Sequence, residues 1–190
     1  MKKKGILSLI ALLISVMLSA QKIDNKEVGI RFAYGFENEV LPEGKVYKPI
    51  MILPYYNHYF TKAEKRARFS GMLEQQFVPV IIDYEDNPKN DVELEIGLNA
   101  GPAFSYKLSR WFTPYIGAMY GVDFITVKTR LQENGWILAA TGFSGVKAEI
   151  ANNVYGDVHL RFRHISNGGA KKPNLGIDTW FIGAGISKLY

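Results

Sequence analysis

Residues 157–166 read Asp-Val-His-Leu-Arg-Phe-Arg-His-Ile-Ser. In an extended chain successive side chains point to opposite faces. Asp157, His159, Arg161 and Arg163 therefore share one face, and Val158, Leu160 and Phe162 share the other with His164 and Ser166. A soluble β protein turns its apolar face inward, so this strand would bury Val158, Leu160 and Phe162 and put the charges in water. The rest of the chain argues for the opposite arrangement.

The same period of two recurs along the sequence. Val28, Ile30, Phe32, Tyr34 and Phe36 alternate with Gly29, Arg31, Ala33 and Gly35, and Val92, Leu94, Ile96 and Leu98 with Glu93, Glu95, Gly97 and Asn99. Comparable runs cover 112–124 and 136–149. Eight strands are predicted near 27–36, 49–60, 69–82, 92–106, 112–126, 136–149, 154–167 and 177–190. The connections alternate: 37–48, 83–91, 127–135 and 168–175 are long and polar, whereas 61–67, 107–111 and 150–153 are shorter. Long loops at one end, short turns at the other and an even strand count predict an all-β fold, an eight-stranded antiparallel transmembrane β-barrel of the outer-membrane type. The alternative is a soluble lipocalin-like barrel. Strands of ten or more residues exceed what such folds usually need, and the charged rows suit a polar lumen. Glu93 and Glu95 are expected to pair with Arg161 and Arg163 across that lumen, and His58 and His159 to be structural. Glu74, Gln75 and Gln76 are consecutive and leave the faces of their strand unassigned. The final strand, FIGAGISKLY, ends in an aromatic residue as such barrels often do, although Lys188 interrupts its apolar face.

The first residues fit an export signal. Lys2, Lys3 and Lys4 precede the apolar run Ile6–Leu18, which is too short to cross a bilayer, and Ser19-Ala20 supplies small residues for cleavage. Residues 1–20 are read as a signal peptide and 21–190 as a single barrel domain. The net charge of +5 includes those three lysines, and no acid lies in 1–20, so the mature chain carries +2. That is too little to suggest nucleic-acid binding. With no cysteine, a disulfide framework, thiolate metal sites and cysteine catalysis are excluded. No stretch after the signal offers about 20 consecutive apolar residues, which excludes a helical span.

The end of the predicted strand at 154–167 carries the chemistry. On the last strand Trp180, Ile182, Ala184 and Ile186 continue the outward row, and Asp178 extends it toward the loop. If residues 167 and 175 flank the loop symmetrically, His164 lies opposite Asp178 on one face, with Ser166 the next outward position. A nucleophile, a base and an acid to orient it would then line up. Polar side chains facing lipid are a functional hypothesis by default; the plain alternative is that they mark where the membrane ends. Donors for an oxyanion would come from Asn167, from N–H groups of the Asn167-Gly168-Gly169 turn, or from Asn174. Gly168 and Gly169 equally suit a turn that needs positive φ.

HISNGG (164–169) followed by PNLGID (173–178) resembles the C-terminal signature of the PagL family of lipid A 3-O-deacylases, roughly His-x-Ser-Asn-x-Gly and then Pro-Asn-x-Gly. The motif covers about the last thirty residues. The resemblance implies an eight-stranded outer-membrane barrel that removes the ester-linked 3-hydroxyacyl chain at position 3 of lipid A, without metal or cofactor. It implies Ser166 as nucleophile, His164 as general base and Asp178 as the acid, where the best-known members have glutamate. Its partners would be lipid A within lipopolysaccharide and the lipids of the outer membrane. Lys171 and Lys172 would meet lipid A phosphates or be solvated, and the basic turn Lys62, Lys65, Arg66 and Arg68 would sit at the opposite, periplasmic end. Two alternatives remain: a non-enzymatic structural or adhesion barrel, and an outer-membrane lipid esterase of different specificity.

Overall fold

The computed structural model describes residues 25–36, 40–41, 45–62, 64–84, 87–128 and 132–190, with backbone alone at 40–41, 45–46, 83–84 and 87–91. The predicted signal segment 1–20 lies outside the described residues. Eight long strands follow one another: β1 (Lys26–Phe36), β2 (Lys45–Tyr59), β3 (Ala67–Tyr84), β4 (Asn87–Tyr106), β5 (Thr113–Ile125), β6 (Gly135–Ala151), β7 (Val154–Ser166) and β8 (Ile177–Leu189). A two-residue piece, Val40–Leu41, pairs onto the start of β2. Every strand is antiparallel to its neighbours, and β1 pairs with both β2 and β8, which closes the barrel. Lys26 and Tyr190 seal that junction by exchanging backbone hydrogen bonds at 3.1 and 2.7 Å.

The barrel is inside-out relative to a soluble protein. Arg161 and Arg163 are each 1% exposed, whereas Val158 is 62% and Ile182 61% exposed. Apolar and aromatic side chains, including Phe32, Ile116, Tyr120 and Val122, cover the outside. Closure gives every strand a partner along both edges, which is what allows a sheet to sit in hydrocarbon.

Charges are tolerated inside because they are paired. Arg161 donates from both Nη atoms to Glu74, each at 2.9 Å. Arg163 donates to Glu95 at 2.7 Å and to the Tyr47 hydroxyl at 2.8 Å, and that hydroxyl donates to Glu95 at 2.6 Å. Lys147 meets Glu27 at 2.5 Å, with Tyr55 and Tyr59 donating to the same carboxylate. Asp157 is held by Arg31, Tyr115 and His159. Removing one partner from such a pair leaves a buried charge uncompensated.

Two expectations change. The segment 83–91 is not a long loop: β3 and β4 pair up to Tyr84↔Asn87, so this hairpin is strand almost to its tip. Arg161 pairs with Glu74 rather than with Glu93, because Glu74 and Gln76 point inward and Gln75 outward; Glu93 instead accepts from Thr126 near the loop end. Of the expected lumen pairs, Arg163 with Glu95 is present.

Candidate active site

Among the described residues two histidine–aspartate pairs form, and the barrel separates them. His159 Nδ1 lies 3.0 Å from Asp157 Oδ1 inside the lumen, with both side chains 1% exposed. That pair is closed off from solvent and belongs to the lumen's ion network. The second joins β7 to β8. The register sets Phe162 opposite Trp180, His164 opposite Asp178 and Ile165 opposite Ile177. His164 Nδ1 lies 2.6 Å from Asp178 Oδ1, with the side chains 41% and 51% exposed. A hydrogen bond to Nδ1 leaves Nε2 as the atom available for proton transfer.

Alternation gives this pair its surroundings. Phe162 and Trp180 lie one step further from the loop on the same outer face, their ring centroids 5.1 Å apart. On β6 the partners are Ala140 opposite His164 and Leu138 opposite Ser166. Ser166 thus stands on the outer face beside the histidine, half-buried at the end of β7. Among the described residues no hydrogen bond joins Ser166 to His164. Nucleophile–base contacts are often loose in the absence of substrate.

The loop after Ser166 is organised by Asn167. Its side-chain oxygen accepts from the N–H groups of Gly169 at 3.0 Å and Lys171 at 3.4 Å, and its Nδ2 donates to the Lys171 carbonyl at 2.9 Å. Its backbone N–H donates to Asn174 Oδ1 at 2.7 Å. Of the donors considered from sequence, the N–H groups of Asn167 and Gly169 and the Asn167 amide NH₂ are therefore committed within the loop. The Gly168 N–H and the Asn174 amide NH₂ have no partner among the described residues. Gly168 and Gly169 adopt φ of 63° and 86°, the left-handed region their residue type favours.

Two contributors escaped the sequence reading. Gly176 has φ +82°, and a Cβ built on it would stand 2.6 Å from His164 Cε1 and 3.2 Å from Nε2. The signal for it was the glycine of the Pro-Asn-x-Gly run. The connection between β5 and β6 also touches the site loop: Gln132 bridges to Asn174, and the Glu133 N–H donates to the Pro173 carbonyl at 3.3 Å. Nothing in the local sequence announces a contact between two separate loops. Among the described residues no group of three His, Asp or Glu side chains has the arrangement to hold a metal ion.

Comparison with solved structures gives the fold. The chain superposes on the crystal structure of the outer membrane enzyme PagL with a TM-score of 0.63 at 14% identity, covering 83% of this chain and 97% of that one. It superposes on Neisserial surface protein A with a TM-score of 0.54 at 13% identity, covering 87% and 97%. No functionally curated protein matches the chain by sequence. The family model described as lipid A 3-O-deacylase (PagL) matches residues 58–187, a span that contains β3 through most of β8 and both halves of the outward site. The chain belongs to the lipid A 3-O-deacylase (PagL) family.

Proposed function

We propose that this chain is an outer-membrane enzyme that hydrolyses the ester-linked 3-hydroxyacyl chain at position 3 of lipid A, with Ser166 as nucleophile, His164 as general base and Asp178 as the orienting acid. The observation that carries this reading is the 2.6 Å His164–Asp178 contact on the outer face, one outward position from Ser166 at the loop end of the barrel. In this orientation the long loops face the cell exterior and the short turns face the periplasm. Lipid A in the outer leaflet then meets the site laterally, without entering the filled lumen.

Ser166 Oγ attacks the ester carbonyl carbon while His164 Nε2 takes the hydroxyl proton. Asp178 holds the ring by Nδ1 and stabilises the positive charge that develops on it. The Gly168 N–H and the Asn174 amide NH₂ are the donors assigned to the oxyanion, and Asn167 fixes the turn that presents them. Asn174 Oδ1 is taken up by the Asn167 N–H, which leaves its NH₂ group to donate. Collapse of the tetrahedral intermediate breaks the bond to the sugar oxygen, which leaves with the proton from the imidazolium. Water, deprotonated by His164 Nε2, then frees the fatty acid from Ser166. Leu160, Phe162, Trp180 and Ile182 form the apolar surface against which the acyl chain lies, and Lys171 and Lys172 stand where lipid A phosphates would be.

The test is mass spectrometry of lipid A from cells with and without the protein. Loss of one 3-hydroxyacyl chain, abolished by Ser166→Ala and by His164→Ala in folded barrels, is expected. Unchanged lipid A in the presence of a folded wild-type barrel would refute the assignment.

A further inference from the structure

His164 is held at Nδ1 by Asp178, but one hydrogen bond to a half-exposed carboxylate leaves the ring free to swing about that contact. The structure supplies a second point of support. Ile165 pairs with Ile177, so by continuation of the antiparallel register Gly176 faces Ser166. The imidazole leans along the strand from its own level to that one, and its Cε1–Nε2 edge lies against the bare Cα of Gly176. A Cβ there would stand 2.6 Å from Cε1, 3.2 Å from Nε2 and 3.0 Å from the Ile165 carbonyl oxygen. Real Cβ atoms do not approach ring carbons so closely, so any side chain at 176 displaces the ring or the backbone.

We propose that Gly176 is a positioning residue: its missing side chain forms the seat on which the imidazole edge rests, holding Nε2 at the level of Ser166. The proposal rests on the assignment of His164 as the base. Asp178 fixes one side of the ring chemically and Gly176 limits the other sterically. The part displaced by a new Cβ is the far end of a side chain, which yields more easily than the backbone. An alanine at 176 therefore harms the site more than the barrel.

Backbone strain is the competing explanation, since φ at 176 is +82°. The loop contains its own control. Gly169 has φ +86°, and a Cβ built there meets nothing within 4 Å. Gly169→Ala carries the same kind of strain without the contact to His164.

The experiment compares wild type, Gly176→Ala and Gly169→Ala as full-length barrels in detergent micelles, with folding monitored by heat-modifiable electrophoretic mobility. Gly176→Ala should lower kcat for lipid A deacylation about 10²-fold, the penalty of a misplacement of about 1 Å, with KM little changed; Gly169→Ala, strained in the same way but clear of His164, should lose far less. In the wild-type protein, NMR should show a nuclear Overhauser contact between the His164 Hε1 proton and the Gly176 Hα protons, readily assignable because the chain has three histidines. Absence of that contact, a wild-type kcat in Gly176→Ala, or equal losses in the two variants would each overturn the proposal. If Gly176→Ala does not fold, the wild-type NMR contact decides. An inactive wild type, or an active Ser166→Ala, would instead refute the functional assignment while leaving the NMR contact to report on the seat.

Discussion

Replacing Asp178 by asparagine tests the acid of the site most directly. The substitution keeps an oxygen able to accept from His164 Nδ1 and removes the charge that stabilises an imidazolium. The pair is 2.6 Å apart and about half exposed on each side, so its electrostatic worth falls between two limits. Unit charges about 4 Å apart attract by roughly 1 kcal/mol in bulk water and roughly 4 kcal/mol at an effective permittivity of about 20. These limits correspond to losses in kcat of about 5-fold and about 10³-fold. The buried acid of a serine protease triad contributes about 10⁴, and this more exposed pair should stay below that. The assay is release of 3-hydroxy fatty acid from purified lipid A in mixed micelles, with kcat and KM separated. A drop in kcat within those limits is expected, with KM close to wild type. Unaltered kcat in Asp178→Asn would refute the orienting role. Asp178→Glu adds a methylene to an arm that already reaches Nδ1, so it should lower the rate rather than raise it.

Arg161→Ala should destabilise the barrel by about 3–5 kcal/mol, because Glu74 is left buried without its bidentate partner. Urea unfolding in detergent, followed by electrophoretic mobility, measures this; unchanged stability would contradict the lumen pairing. Asn167→Ala removes three side-chain hydrogen bonds, worth about 1 kcal/mol each. It should speed tryptic cleavage after Lys171 and Lys172 in the folded protein, and an unchanged cleavage rate would show that the loop is ordered by other contacts. Ser166→Cys in liposomes should react with a lipid-soluble maleimide, whereas Arg163→Cys, on the lumen face of the same strand, should not; labelling of position 163 alone would reverse the assignment of faces.

How much was legible in sequence follows from what period two can and cannot carry. A strand has two faces, so the run from Asp157 to Ser166 by itself separated the lumen side from the lipid side and set His164 and Ser166 together outside. A symmetric loop then implied His164 opposite Asp178, since antiparallel pairing relates the two strands by a fixed register. What lay beyond neighbouring strands needed the closed barrel. Arg161 meets Glu74 from β3 because curvature brings distant strands together across the lumen, a relation that alternation does not encode. Enclosure likewise decided which histidine–aspartate pair is accessible, since His159–Asp157 and His164–Asp178 both bring an imidazole to a carboxylate on neighbouring positions of the sheet. The conformation of the loop settled the rest. Asn167 read as a donor for chemistry, and the structure uses most of its groups to fold residues 167–171. Gly176 had no role of its own in the sequence reading, and its place under the imidazole depends on a side chain reaching across strands. Sequence determined the faces, because strand geometry is local; tertiary structure decided partners, access and ring position, because those are distances between parts of the chain that only closure brings together.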